Sequence, residues 1–239
     1  MTVDHGKAVL IVLTNTKELQ PAGDPTSNES RRTGYDVKEA ALAYQYFQKT
    51  LGLEVNLASP SGGECTIDPS SLKASEHEEE VQAFLADPCA MQWTKCTDRM
   101  GAFDLGRFQA VVFVGGPGAM FDFAGRRVAQ VVKDIWGRGG MVATIGHGAA
   151  ALLSLWDEQG EPWIKNKKVT ANTLEEDHDM RLEKMLPFSI QKRLEEVGAH
   201  FKKTEKFANN VVVDGRLVTA QNRNSTRDWL QQIDSLLQK

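Results

Sequence analysis

The sequence has 239 residues, of which 41% are hydrophobic and 25% charged, with a net charge of −4. A chain of this size and composition can bury a sizeable core without disulfide or metal staples. The slightly acidic balance excludes the basic footprint of a nucleic-acid binder, and no run approaches the ~18 apolar residues of a membrane-spanning helix.

Residues 1–7 carry Asp4 and lack the long apolar core of a secretory leader. Residues 7–14 (KAVLIVLT) are a continuous apolar run that predicts a buried parallel strand. Residues 15–34 are rich in Pro, Ser, Asn and Thr and predict a loop. A helix is expected over 37–50, its apolar face supplied by Ala41, Leu42 and residues 44–47. The next strand, 53–58, stops at Ser59-Pro60-Ser61-Gly62-Gly63. Residues 66–105 are the least regular part. A helix over 76–86 ends before Pro88, and 87–101 reads as an insertion or cap within an irregular stretch of about 64–105.

Residues 110–114 predict a strand that runs into Gly115-Gly116-Pro117-Gly118. A helix over 128–136 ends at Gly139-Gly140, and a strand over 141–145 breaks at Gly146-His147-Gly148. Further on come a helix over 149–155, a short strand over 168–171 and a helix over 187–197 closed by Gly198. Strands 210–213 and 217–220 flank Asp214-Gly215, a hairpin signal, and 225–237 predicts the closing helix. The alternation implies a single α/β domain over 1–239, a doubly wound, mostly parallel, flavodoxin-like sheet with helices on both faces. Ligands in such sheets bind beyond the carboxyl ends of the strands, where loops 15–39, 115–119 and 146–149 are expected.

The segment 141–153 (MVATIGHGAAALL) turns a buried strand sharply into a helix. Such an elbow can lift one side chain above the sheet, and the helix start would favour an anion. A plain tight turn fits the local pattern as well. The run Glu175-Glu176-Asp177-His178-Asp179 is read as a solvated charged loop, and His5, His77 and His200 as surface residues. The three cysteines, Cys65, Cys89 and Cys96, lack CxxC spacing; reduced thiols in a cytoplasmic protein are expected, with no metal site and no cofactor.

The elbow resembles that of the DJ-1/PfpI (class I glutamine amidotransferase-like) family. In its branch of heat-shock chaperones and glutathione-independent glyoxalases the segment reads Ala-Val-Cys-His-Gly-Pro. Other segments resemble that branch in the same order: Thr33-Gly34-Tyr35 through Glu39, Ala58 to Gly63, Gly115-Gly116-Pro117-Gly118-Ala119-Met120-Phe121-Asp122, Pro187-Phe188, and residues 214–222. The resemblance implies that Glu39 is the acid beside the reactive position and that His147 is the histidine following it. It implies further that Gly116 and the backbone at His147 are oxyanion donors, with Gly115, Pro117, Gly118 and Gly148 around them. The third acid is Glu176 or Asp177.

The departures carry weight. The nucleophile position holds Gly146, the following proline is Ala149, and the histidine of the glycine loop is Pro117. Without a thiol the family's covalent intermediate cannot form, and losing a nucleophile costs orders of magnitude in rate. Three functions follow from the resemblance: non-covalent acid–base chemistry of hydratase, isomerase or lyase type by Glu39 and His147 on a small carbonyl or carboxylate compound; a pseudoenzyme with a stress-protective or chaperone-like role; or a Cys-to-Gly variant of a glyoxalase converting methylglyoxal to lactate. A homodimer is also implied, with neither nucleic acid nor membrane as a partner.

Overall fold

A computed structural model describes residues 8–21 and 29–238; Lys7, His5 and the leader reading of residues 1–7, and the middle of the predicted 15–34 loop, lie outside the described residues. The strands are β1 (Ala8–Val12), β2 (Glu18–Leu19), β3 (Arg31–Arg32), β4 (Glu54–Ser59), β5 (Asp98–Arg99), β6 (Phe108–Phe113), β7 (Met141–Ile145), β8 (Lys168–Val169), β9 (His200–Phe201), β10 (Val211–Asp214) and β11 (Leu217–Ala220). The helices are α1 (Val37–Gln45), α2 (Pro69–Ser75), α3 (Glu79–Leu85), α4 (Pro88–Lys95), α5 (Ala119–Asp122), α6 (Arg126–Gly137), α7 (Leu174–Asp179), α8 (Ile190–Glu196) and α9 (Thr226–Leu237).

Among the described residues the main sheet has seven strands in the order β10, β11, β7, β6, β1, β4, β5. Every pairing in it is parallel except the β10–β11 hairpin at one edge, so the sheet is mostly parallel, as expected. Strand periodicity divides the core. Leu10, Val12, Val111, Phe113 and Val142 join Val131 and Ile135 of α6 and Leu194 of α8 on one face. Val9, Ile11, Val112, Ala143 and Ile145 join Leu42 of α1 and Trp229 and Leu230 of α9 on the other. Successive side chains point to opposite faces, which is why the central strands read as unbroken apolar runs. Helix α6 buries Val128, Val131, Val132 and Ile135, one stripe at helical spacing. Among the described residues no helix is long and apolar enough to cross a membrane.

Four expectations are corrected. Helix α1 ends at Gln45, and its continuation over Tyr46–Thr50 widens into a π turn. The helix predicted over 76–86 is present as α3, but the rest of the irregular stretch is also structured, into α2, α4 and the edge strand β5. Asp68 and Asp87 cap α2 and α4, and a proline follows each cap at the first helical position. The segment after the elbow is a wholly buried 3₁₀ turn over Gly146–Leu152 instead of an α-helix over 149–155. Finally, the run 175–179 is not a solvated loop. It lies in α7, whose Thr173 and Glu176 form a capping box and whose Glu176 and Asp177 are buried.

Candidate active site

Glu39 sits in the first turn of α1 because Asp36 caps that helix. Asp36 Oδ1 accepts from the backbone N–H groups of Lys38 and Glu39 at 3.0 and 3.3 Å. The other Asp36 oxygen accepts from Arg223 at 2.5 Å. Glu39 is 3% exposed, and its Oε2 accepts from the Gly115 N–H at 2.7 Å. Burial, then the neighbouring Asp36 charge, pushes the Glu39 carboxyl well above the usual range, and the Gly115 N–H, Arg223 and Lys38 offset this only in part. The site thus favours the protonated form more than water does.

The elbow is closed by glycine geometry. Gly146 has φ +54°, and a β-carbon there would stand 2.7 Å from Asn172 Oδ1 and 3.7 Å from Glu39 Oε1. Gly116 has φ +109°, and a β-carbon on it would meet the Gly34 carbonyl oxygen at 2.3 Å. The chain before α1 and the glycine loop thus touch backbone to backbone, which brings Glu39 to the ends of β6 and β7.

His147, the next residue, is buried and its Nε2 donates to Asp177 Oδ1 at 2.9 Å. Asp177 is therefore the acid that meets the histidine. Glu176 is not: its Oε1 accepts from Phe207 N, Gln221 Nε2 and Asn222 Nδ2 at 2.8, 3.0 and 2.6 Å, while its Oε2 accepts from Thr173 N at 2.7 Å. Those bonds tie α7 to the strand ends. The period of α7 separates the two adjacent acids, since neighbours on a helix point about 100° apart.

A cavity of about 340 Å³ opens beside these groups. Glu39, Gly116, Pro117, His147, Asn172 and Arg223 line it, with Arg31 and Asp36 on its wall. Gly115, Gly118 and Gly148 are buried but are not on its lining, and Gly146 lies under Asn172. The expected loops do converge, but Asp36, Asn172 and Arg223 were not singled out. Asp36 carried a signal, a helix-capping residue placed just before an apolar run. Asn172 carried none.

Cys65 lies off the cavity. Its sulfur is 3.8 Å from both Asn15 Nδ2 and Thr97 Oγ1, and burial pushes its thiol up to about 11, which suppresses the reactive thiolate. Cys89 and Cys96 are free and exposed. His77 and His200 are exposed, as expected.

Comparison with known proteins adds to this geometry. The model of the DJ-1/PfpI family matches residues 32–235. Glutathione-independent glyoxalase HSP31 of Saccharomyces cerevisiae is 26% identical over 242 residues, covering 96% of this chain and 98% of that protein. Glutamine amidotransferase-like class 1 domain-containing protein 1 of Bos taurus is 27% identical over 136 residues, 56% of this chain and 62% of that protein, so the match spans less than two thirds of this relative. Among solved structures, Rapid Encystment Protein 24 KDa of Francisella tularensis superposes with a TM-score of 0.87 at 28% identity, covering 96% of this chain and 98% of its own.

Proposed function

Because the chain belongs to the DJ-1/PfpI family, we propose that its cavity binds a small carbonyl or carboxylate compound and that Glu39 and His147 perform non-covalent acid–base chemistry on it, of hydratase, isomerase or lyase type. The observation that carries this reading is the Glu39 carboxyl: buried, held by Gly115, and 3.7 Å from where a side chain at position 146 would begin. A protonated carboxyl in that position can give its proton to a carbonyl oxygen. His147 commits Nε2 to Asp177, which leaves Nδ1 as the ring atom to take a proton from the adjacent carbon or from water. The backbone amides of Gly116 and His147 are the groups that would stabilise the negative charge building on the carbonyl oxygen until the Glu39 proton is transferred to it, giving the neutral enol or hydrate.

Gly146 stands where the family's cysteine is expected, so the reading excludes a thioester or hemithioacetal at that position. The yeast relative is named a glutathione-independent glyoxalase, which makes methylglyoxal the first compound to assay. Turnover by the native chain that falls about 10²–10⁴-fold in Glu39→Gln supports the proposal. Turnover unchanged in Glu39→Gln overturns it. Activity gained only on Gly146→Cys favours a glyoxalase that has lost its thiol, and binding without turnover favours a pseudoenzyme with a stress-protective or chaperone-like role. We further propose a single domain over 1–239 with an insertion or cap at about 64–105, a homodimer and a cytoplasmic setting, of which the dimer is checked by sedimentation.

A further inference from the structure

Asn172 is 7% exposed and lines the cavity. Its Oδ1 lies 2.7 Å from the point where a β-carbon on Gly146 would stand, and Glu39 Oε1 lies 3.7 Å from the same point. Both oxygens therefore flank the position a side chain on Gly146 would take, and since Asn172 and Glu39 line the cavity, a ligand meets them from the cavity side. The amide is oriented: Nδ2 reaches Glu176 Oε2 at 3.5 Å, which turns Oδ1 toward Gly146. Glu176 is itself held by Thr173 N on that oxygen and by three donors on the other, so this support is fixed from several sides. Asn172 Oδ1 can only accept. Glu39 Oε2 is occupied by the Gly115 N–H, so a proton on this carboxyl resides on Oε1 and can be donated toward the same space. A hydroxyl is the group that accepts from one and donates to the other. A ketone oxygen or an ether satisfies only Glu39.

We propose that Asn172 is a specificity-determining residue, whose Oδ1 fills the place of a side chain at position 146 and with Glu39 binds the hydroxyl of a small hydroxycarbonyl compound or of a hydrated carbonyl. This rests on the acid–base reading above and names the ligand class for the same site.

Two measurements test it, and neither reads turnover. In the first, binding of hydroxyacetone and of acetone is titrated by ligand-observed NMR. The native chain is expected to hold hydroxyacetone about fivefold more tightly, one net hydrogen bond to a neutral acceptor. Asn172→Leu, of similar size but with no acceptor, is expected to bring the ratio to about one. Equal binding of the two by the native chain, or a preference that survives in Asn172→Leu, overturns the proposal. In the second, a thiol is introduced by Gly146→Cys, alone and together with Asn172→Ala, and its alkylation by iodoacetamide is followed by peptide mass spectrometry, apart from Cys89 and Cys96. The lone substitution is expected to react at least tenfold more slowly than the pair, because Asn172 occupies its space. Equal rates overturn the proposal. Should the thiol variants fail to fold, the titration decides alone. A hydroxyl preference without any turnover sinks the catalytic reading and leaves this one standing. Turnover that depends on Glu39 without a hydroxyl preference does the reverse.

Discussion

His147 Nε2 and Asp177 Oδ1 are 2.9 Å apart with both side chains 3% exposed, and Asp177 Oδ2 is buried without a hydrogen-bond partner among the described residues. Burying a polar group without a partner costs about 1–3 kcal/mol. The pair therefore fixes the ring at the elbow with little room for substitution on either side. His147→Phe, which keeps a ring of similar size but leaves Asp177 Oδ1 as well as Oδ2 buried and unbonded, is expected to lower stability by about 1–3 kcal/mol. Urea unfolding reads this directly. An unchanged midpoint would mean that Asp177 is not held by the ring.

Glu39 makes stability depend on pH. Its folded pKa lies well above the value of about 4.3 that the unfolded chain gives it. Between those two values the native state binds the proton and the unfolded state does not, so stability falls as pH rises through that window. Below it both states are protonated and the group contributes no slope. Glu39→Gln keeps an acceptor for the Gly115 N–H and carries no charge. The variant is therefore expected to gain stability relative to the native chain as pH rises from 4.5 to 8. Parallel denaturation curves at the two pH values would show Glu39 to be solvated.

Asp122 lies outside the cavity lining but ties its loops together. Thr14 Oγ1 donates to Oδ1 at 2.8 Å and the Asn15 N–H to Oδ2 at 2.7 Å. Burial pushes its carboxyl up to about 6, and these donors hold it from rising further. Asp122 is expected to titrate near 6 by carboxyl-detected NMR, whereas an ordinary aspartate does so at about 3.9. A midpoint below about 4.5 would mean that the loop after β1 does not close over it.

The doubly wound sheet was legible because the central strands are continuous apolar runs punctuated by glycine, and Met141–Ile145 and Leu217–Ala220 coincide with the predicted strands. Within 64–105 the helix predicted over 76–86 is present as α3, but α2 and α4 were not legible, although Asp68-Pro69 and Asp87-Pro88 are start signals, because each is only seven or eight residues long and presents little periodicity. The site was legible through residues that hold their place locally. Glu39 follows its cap by three positions, and His147 follows the elbow. Asn172 was not, because its part depends on what stands across from it: the space over a glycine that is distant in the chain. The choice between Glu176 and Asp177 also awaited three dimensions, since it is the rotation of α7 that sends one acid to His147 and the other to Gln221 and Asn222.

Two glycines with positive φ separate conformational cost from steric cost. Gly52 has φ +64° and nothing within 4 Å of where a β-carbon would stand. Gly116 has φ +109°, and its β-carbon would meet the Gly34 oxygen at 2.3 Å, the Asp36 nitrogen at 2.8 Å and the Tyr35 Cα at 2.9 Å, all of them backbone. Gly52→Ala is expected to cost about 1 kcal/mol, the left-handed penalty of a β-carbon. Gly116→Ala carries a similar penalty and must also push the segment before α1 off the glycine loop. That segment includes the Asp36 cap that positions Glu39. Gly116→Ala is expected to lose several kcal/mol by urea unfolding and, where the fold survives, to return the Glu39 carboxyl toward the ordinary range, because separating the loops admits water to it. Equal losses for the two variants, with Glu39 unmoved, would show that the contact between Gly34 and Gly116 is not what holds the acid in the site.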